Sequence, residues 1–448
     1  MKQLSFLFLL LILLVTSCSA QPDITGKWYG RPDVGGFSMR LTFDISQSDN
    51  GYTATMESPD QTAEKIPVTS VTFENNAVNI QIAPIDFAYK GELNKEGIIK
   101  GSFTQGGQTF TLDLSRREPE PIERSQTPGQ TDAYHTEEVS FMNEKAGIRL
   151  AGTLTLPKSS TSFTAVVLVS GSGPQNRDEE IMGHKPFLVL ADYLTQRGIA
   201  VLRYDDRGVG QSEGDYAKAT LDDFASDAQA AVEYLKTRKE INKEKIGIVG
   251  HSEGGGIAFK LASEKVPAFI VTMAGVGVDG FSLLRMQRKA LFTASNIPEE
   301  YINQYNDYMD QAQRLAVEAT SFFQLRDGIT QLFTGTYMEK QIDPAVKQLS
   351  SPEIVSFLKY DPSPYFKKIS CPILALNGMN DLQVPCSENL SAILEGLSTN
   401  KEVTTKPYFG LNHLFQTSNS GLPAEYAQIE ETINPEVLKD IADWLLKR

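Results

Sequence analysis

Apolar and polar positions alternate along residues 23–115 in short runs, at Met39–Ile45, Val68–Phe73, Val78–Ile82 and Thr109–Leu114. Asp49-Asn50-Gly51 and Gly106-Gly107 punctuate them. A period of two bounded by turn residues predicts antiparallel strands with one buried face, so this segment reads as a small all-β barrel or sandwich. Residues 116–134 lose the alternation and gain charges, prolines and glycines, as in Arg116-Arg117-Glu118-Pro119-Glu120-Pro121 and Pro128-Gly129. They predict a partly extended linker.

From about residue 136 to 448 the rhythm changes. Short apolar runs at Ala165–Val169, Ile199–Tyr204, Ile246–Val249, Ala268–Met273 and Ile373–Leu376 alternate with helical patterns. That predicts an α/β fold, a mostly parallel sheet with helices on both faces. An antiparallel pair, Glu138–Phe141 and Ile148–Leu156, leads into it. Phe187–Gln196 reads as a helix stopped by Gly198. Leu221, Phe224, Ala225, Ala228, Ala231, Val232 and Leu235 share one face of a helix over Thr220–Thr237, with Thr220 and Asp223 as its capping box. Asn434-Pro435 opens a closing helix. Residues 276–360 interrupt the alternation, but Tyr301, Tyr305, Tyr308, Met309, Ala312, Leu315, Ala316, Ala319, Phe322 and Phe323 keep helical spacing. A structureless loop of that length is improbable in a compact domain, so this stretch predicts an inserted helical cap.

The N-terminus follows neither pattern. Lys2 precedes the unbroken apolar run Phe6–Val15, too short to span a bilayer and of the length of a signal segment. Val15-Thr16-Ser17-Cys18 resembles the lipobox of bacterial lipoproteins, which implies removal of residues 1–17 and lipidation of Cys18. The expectation is a cell-envelope protein, lipid-anchored and periplasmic or surface-facing; the alternative is a secreted or periplasmic soluble protein, cut after Ala20.

Composition narrows the partners. Hydrophobic residues are 41% and charged residues 22%, the profile of a folded protein rather than a disordered or polytopic membrane chain. The 56 acids against 42 bases leave a net charge of −14, a poor match to a phosphate backbone, so no nucleic-acid partner is expected. Any contact with membrane is expected through the lipid anchor. Four histidines argue against a multi-histidine metal site, and no metal or cofactor is expected. Cys371 and Cys386 flank the run Ile373–Leu376 at opposite ends, too far apart for a disulfide.

The sharpest chemical signal is Gly250-His251-Ser252-Glu253-Gly254, between the strand-like Ile246–Val249 and the helical Ile257–Ala262. This is Gly-x-Ser-x-Gly in strand–turn–helix context, a nucleophile elbow. The turn is tight, so the positions two before and two after Ser252 must lack bulky side chains. A serine hydroxyl needs a base, and His413 in Gly410-Leu411-Asn412-His413 is placed for it. His251 points away from Ser252 and is expected to pack or bond within the elbow; His184 is a candidate pocket residue, and His135 lies near the linker. The base needs a carboxylate, for which Asp381 in Asn377-Gly378-Met379-Asn380-Asp381 is the candidate and Asp279 the runner-up. The order Ser252, Asp381, His413 is that of α/β-hydrolases. The oxyanion donors are expected to be the backbone N–H groups of Glu253, at the helix start, and Ser172, in the loop Ser170-Gly171-Ser172-Gly173-Pro174.

The segments Ser170–Asp178, Leu202–Gly210 with Ser212, and Gly250–Gly254 together resemble the α/β-hydrolase superfamily, in its branch of bacterial esterases and serine-aminopeptidase-like hydrolases. The resemblance covers about 140–448 and leaves residues 23–115 outside. It implies a structural turn at Asp206-Arg207-Gly208 and carboxylesterase activity on short acyl chains. The expected function is therefore an exported serine hydrolase acting on a small-molecule ester. The alternatives are a serine aminopeptidase, with Glu299 or Glu300 holding the free amine, or a thioesterase. From another class comes a surface glycan- or lipid-binding protein with an inert hydrolase domain. Oligomeric state is left open.

Overall fold

A computed structural model describes residues 23–448, except 35–36, 50, 59–64, 106, 121–123 and 159–161. The signal segment 1–17 and Cys18 lie outside the described residues.

The N-terminal alternation folds into an antiparallel meander. Its strands run Gly26–Gly30, Leu41–Ser48, Gly51–Glu57, Ser70–Glu74, Ala77–Ile82, Phe87–Leu93, Ile99–Gln105 and Gln108–Thr111, each beside the next, with Lys65–Pro67 paired to Gly51–Glu57. Tyr29 and Ser115 exchange backbone hydrogen bonds at 2.8 Å each way, so the sheet curls until its beginning meets the chain beyond its last strand. The inward face is filled by Trp28, Phe43, Phe87, Tyr89 and Phe103. Curling buries one face without a second sheet, the barrel-like outcome of the two expected.

The linker is less free than its composition predicts. The Arg116 guanidinium lies 3.9 Å over the Trp28 ring and donates to the Lys27 carbonyl. Arg124 donates to the carbonyls of Met182 and Ala427, and Gln126 to that of Ile433. Each end is therefore fastened to its own domain. Arg40 of the meander also lies 4.0 Å from Glu180 of the second domain.

The second domain carries an eight-stranded sheet: β1 (Tyr134–Asn143), β2 (Ile148–Pro157), β3 (Phe163–Val169), β4 (Ala200–Tyr204), β5 (Ile241–His251), β6 (Phe269–Met273), β7 (Ile373–Gly378) and β8 (Val403–Tyr408). Their spatial order is β1-β2-β4-β3-β5-β6-β7-β8. The β1–β2 and β2–β4 pairs are antiparallel and the rest parallel. This is the α/β-hydrolase fold. Parallel strands covered on both faces read as unbroken apolar runs, and β6 is buried at every position.

Helices α1 (Pro186–Thr195) and α11 (Pro435–Leu445) cover one face, while α2 (Leu221–Thr237) and α3 (Glu253–Ser263) cover the other. Thr220 and Asp223 form the predicted capping box of α2, and Asn434 caps α11. The interruption is the predicted cap: α4 (Gly280–Ala294), α5 (Glu299–Glu318), α6 (Phe322–Phe333), α7 (Ile342–Leu349) and α8 (Pro352–Leu358). It has its own core around Met309, Ala312, Ile329 and Phe333. After it come α9 (Ser363–Phe366) and α10 (Cys386–Gly396). Cys371 and Cys386 are free thiols. No helix among the described residues is long and apolar enough to cross a membrane.

Candidate active site

The elbow joins β5 to α3 at the middle of the sheet. Ser252 sits at φ 53°, ψ −117°, a conformation strained for any residue with a Cβ. The turn closes because its flanks are bare. A Cβ on Gly250 would meet the Gly254 carbonyl at 2.1 Å, and one on Gly254 would meet the Val169 carbonyl at 2.2 Å. The glycine requirement read from the sequence thus has a steric cause on both sides of Ser252.

His413 comes from the loop after β8. Asn412 Oδ1 accepts the N–H groups of Leu414 and Gln416, and the N–H of Asn434 at the start of α11 bonds to the Phe415 carbonyl. His413 Nδ1 lies 2.7 Å from Asp381 Oδ2. Asp381 Oδ1 accepts the N–H groups of Gln383 and Val384 at 2.8 Å each. A carboxylate so held has one orientation, and it fixes the imidazole with Nε2 free for other work. Ser252, Glu253, His413 and Ser172 line one pocket. Ser252 Oγ and His413 Nε2 make no hydrogen bond among the described residues; in resting sites such bonds often close only with substrate.

The Gly-rich loop after β3 forms the opposite wall. Gly171 N–H donates to Glu179 Oε1 at 2.8 Å and Gly173 N–H to Glu353 Oε1 at 3.1 Å. The N–H groups of Ser172 and Glu253 have no partner among the described residues. Asp206 supports the loop by accepting from Ser170 Oγ and Gln175 N–H, each at 2.9 Å. Behind it Arg207 grips Asp227 with Nε and Nη2. Asp206-Arg207 is thus scaffolding, as the resemblance implied.

The pocket is a cavity of about 160 Å³, closed on one side by Val276, Leu283, Leu284, Ile354, Phe357 and Val384. Burial acts on Glu253 in its lining and on Asp206 behind it. Desolvation, reinforced by Glu353 and Asp206, holds Glu253 well above the usual carboxylate range. Burial pushes Asp206 up to about 8, against the bonds it accepts from Gln175 and Ser170.

Several expectations are corrected. His184 does not line the pocket: it is fully buried between Thr432 Oγ1 and the Tyr426 carbonyl, 2.9 Å from each, and burial pulls it down to about 4. Asp279 caps α4 by accepting from Ser282 N–H, which leaves Asp381 as the acid at His413. Glu299 and Glu300 are exposed on the first turn of α5, away from the pocket lining. His135 is exposed on β1. Sequence reasoning missed Glu179 and Glu353. Glu179 was legible as an acid within eight residues of the Gly-rich loop; Glu353 lies on a cap helix that no local motif connects to the site.

Among known proteins, residues 185–315 match the family model described as serine aminopeptidase, S33. Esterase EstD of Thermotoga maritima is 28% identical over 304 residues, 66% of this chain and 66% of that protein. An acyl transferase of Shewanella hanedai is 31% identical over 123 residues, 27% of this chain and 37% of its own length. The chain thus spans less than two thirds of these relatives. Among solved structures, an esterase of Pyrococcus furiosus, Pf2001, superposes with a TM-score of 0.43 at 16% identity, over 73% of this chain and 99% of that one.

Proposed function

We propose that this α/β-hydrolase-fold, esterase-like chain is an exported serine hydrolase that cleaves small carboxylic esters. The observation that carries the reading is the Asp381–His413 bond beside a strained serine in an apolar-walled pocket. Ser252 Oγ attacks the acyl carbon while His413 Nε2 takes its proton. The oxygen that gains charge lies against the N–H groups of Ser172 and Glu253, which have no partner among the described residues. Collapse expels the alcohol, which takes the proton back from His413. Water, activated by the same histidine, then releases the acid and regenerates Ser252. Asp381 keeps the imidazole in the required tautomer throughout.

The cavity favours a short acyl group. Its volume of about 160 Å³, walled on one side by apolar side chains, leaves limited room for an acyl chain. An ester suits the site better than an aminoacyl amide, which needs a charged carboxylate for the free amine. Burial raises Glu253 well above the usual carboxylate range, which disfavours its charged form, and Glu353 Oε1 already accepts Gly173 N–H and the Tyr216 hydroxyl.

The test is turnover of p-nitrophenyl acetate, butyrate and octanoate beside aminoacyl p-nitroanilides, with a fluorophosphonate label. Wild type is expected to prefer the short esters and to label at Ser252. Ser252→Ala is expected to lose kcat by on the order of 10⁶-fold. A chain that neither turns over esters nor labels refutes the reading. For the anchor at Cys18, Cys18→Ala is expected to abolish labelling with a fatty-acid probe and move the protein from membrane to soluble fraction. Unchanged fractionation would rule the anchor out.

A further inference from the structure

The histidine inside the elbow is bonded at both ring nitrogens. His251 Nδ1 lies 2.9 Å from Glu179 Oε1, and His251 Nε2 lies 3.0 Å from the His413 carbonyl. The same Glu179 oxygen accepts Gly171 N–H at 2.8 Å. A continuous chain of hydrogen bonds therefore runs from the Gly-rich loop after β3, through Glu179 and His251, to the main chain of the loop after β8. The His251 and His413 rings lie 4.7 Å apart at 43°. Glu179 and His251 are both buried.

Three features say that this chain holds geometry. Gly171 immediately precedes Ser172, whose N–H is unengaged, and Glu353 fixes Gly173 on the other side. The Glu179 bond therefore helps set where the Ser172 N–H points. Glu179 also adopts φ 51°, a strained value that persists where surroundings over-determine it. Finally, both partners of the His251 ring are acceptors, so each nitrogen must present a proton. Burial opposes such a charged ring, but the Glu179 charge and bond, the His413 carbonyl and the Asp381 charge outweigh it and hold His251 above the usual histidine value. A buried ion pair adds little net stability over an apolar alternative. What this one supplies is a fixed distance between two loops.

We propose that Glu179 and His251 are positioning residues, a second acid–histidine pair that locks the oxyanion loop to the backbone of the histidine that serves Ser252. The inference rests on the ester-hydrolase reading above. Two substitutions separate the links. His251→Gln keeps an N–H where Nε2 was and so keeps the bond to the His413 carbonyl. His251→Asn keeps a donor toward Glu179 and loses His413.

The experiment measures kcat per titrated site, KM, thermal midpoint, and affinity for a trifluoromethyl ketone, whose serine adduct places an oxyanion in the hole. His251→Asn is expected to lose about 10- to 100-fold in kcat and a similar factor in ketone affinity, with KM within about threefold, since small misplacements at reacting groups cost that much. His251→Gln is expected to fall less. Should His251→Asn fail to fold, the isosteric Glu179→Gln is measured instead and is expected to lose kcat and ketone affinity together. Unchanged kcat per site, or a loss confined to KM or to the thermal midpoint, overturns the positioning role. Wild type that neither turns over nor labels at Ser252 overturns instead the reading on which this one stands.

Discussion

Ser252 concentrates the residue-scale physics. Its positive φ costs about 1–3 kcal/mol, which the surrounding sheet and helix must supply. Replacing it by glycine removes that strain but raises the entropy of the unfolded chain by a smaller amount. Ser252→Gly is therefore expected to be more stable than Ser252→Ala by about 1 kcal/mol, with both inactive. Denaturant melts of the two variants check this; equal midpoints would mean that the elbow is relaxed. The same turn explains how far its geometry was legible in the sequence. Gly250 is dictated by the Gly254 carbonyl inside the turn itself, whereas Gly254 is dictated by the Val169 carbonyl at the end of β3. Glu179 is the contrary case. Its bond to Gly171 closes within one loop, but its partner His251 ends a strand 72 residues further along the chain, and no local pattern announces that meeting.

Elements show where periodicity suffices. The helices α2 and α11 were legible because their caps and apolar stripes are local. The strands Phe87–Leu93 and Ile99–Gln105 of the meander were missed, although Phe87, Tyr89 and Leu93 alternate inward. Glycine interrupts both runs, because Tyr89 lies across Gly91 and Gly101: a Cβ there would meet its hydroxyl at 2.4 and 2.6 Å. The cap was legible as helical, but not the face it turns to the site. Leu283 and Leu284 of α4, with Ile354 and Phe357 of α8, form the apolar wall. Leu284→Ala is expected to lengthen that wall's reach, shifting kcat/KM for octanoate over butyrate esters upward by roughly tenfold. A chain-length profile on p-nitrophenyl esters reads this directly, and an unaltered profile would place the acyl group elsewhere.

At the scale of the whole molecule, buried ionisable groups set the pH range of stability. His184 is held neutral at about 4, so its contribution is present above about 6.5 and is lost as pH falls toward 4. Asp206 acts oppositely. Its folded value near 8 lies above the ordinary 3.8, so its contribution is complete below about 4 and is lost as pH rises through 8. Between pH 6.5 and 8 the His184 contribution is already in place, and stability is expected to decline by up to about 1.4 kcal/mol per pH unit from Asp206. Asp206→Asn is expected to make that decline shallower in melts across the window, with Glu253 and His251, both raised, supplying what remains. A slope the same in both proteins would show that Asp206 is charged in the fold.

By itself the sequence determined the all-β and α/β folds, the helical cap and the strand–turn–helix around Ser252, because each is encoded by periodicity and turn residues; chain order along a parallel sheet marked Asp381, which the structure places against His413. Tertiary structure alone decided that His184 is sealed away, that the linker is fastened at both ends, that Glu353 reaches Gly173 and that Glu179 reaches His251. Those outcomes depend on groups far apart in the chain meeting at one point. Their bonds form where burial leaves no water as an alternative partner.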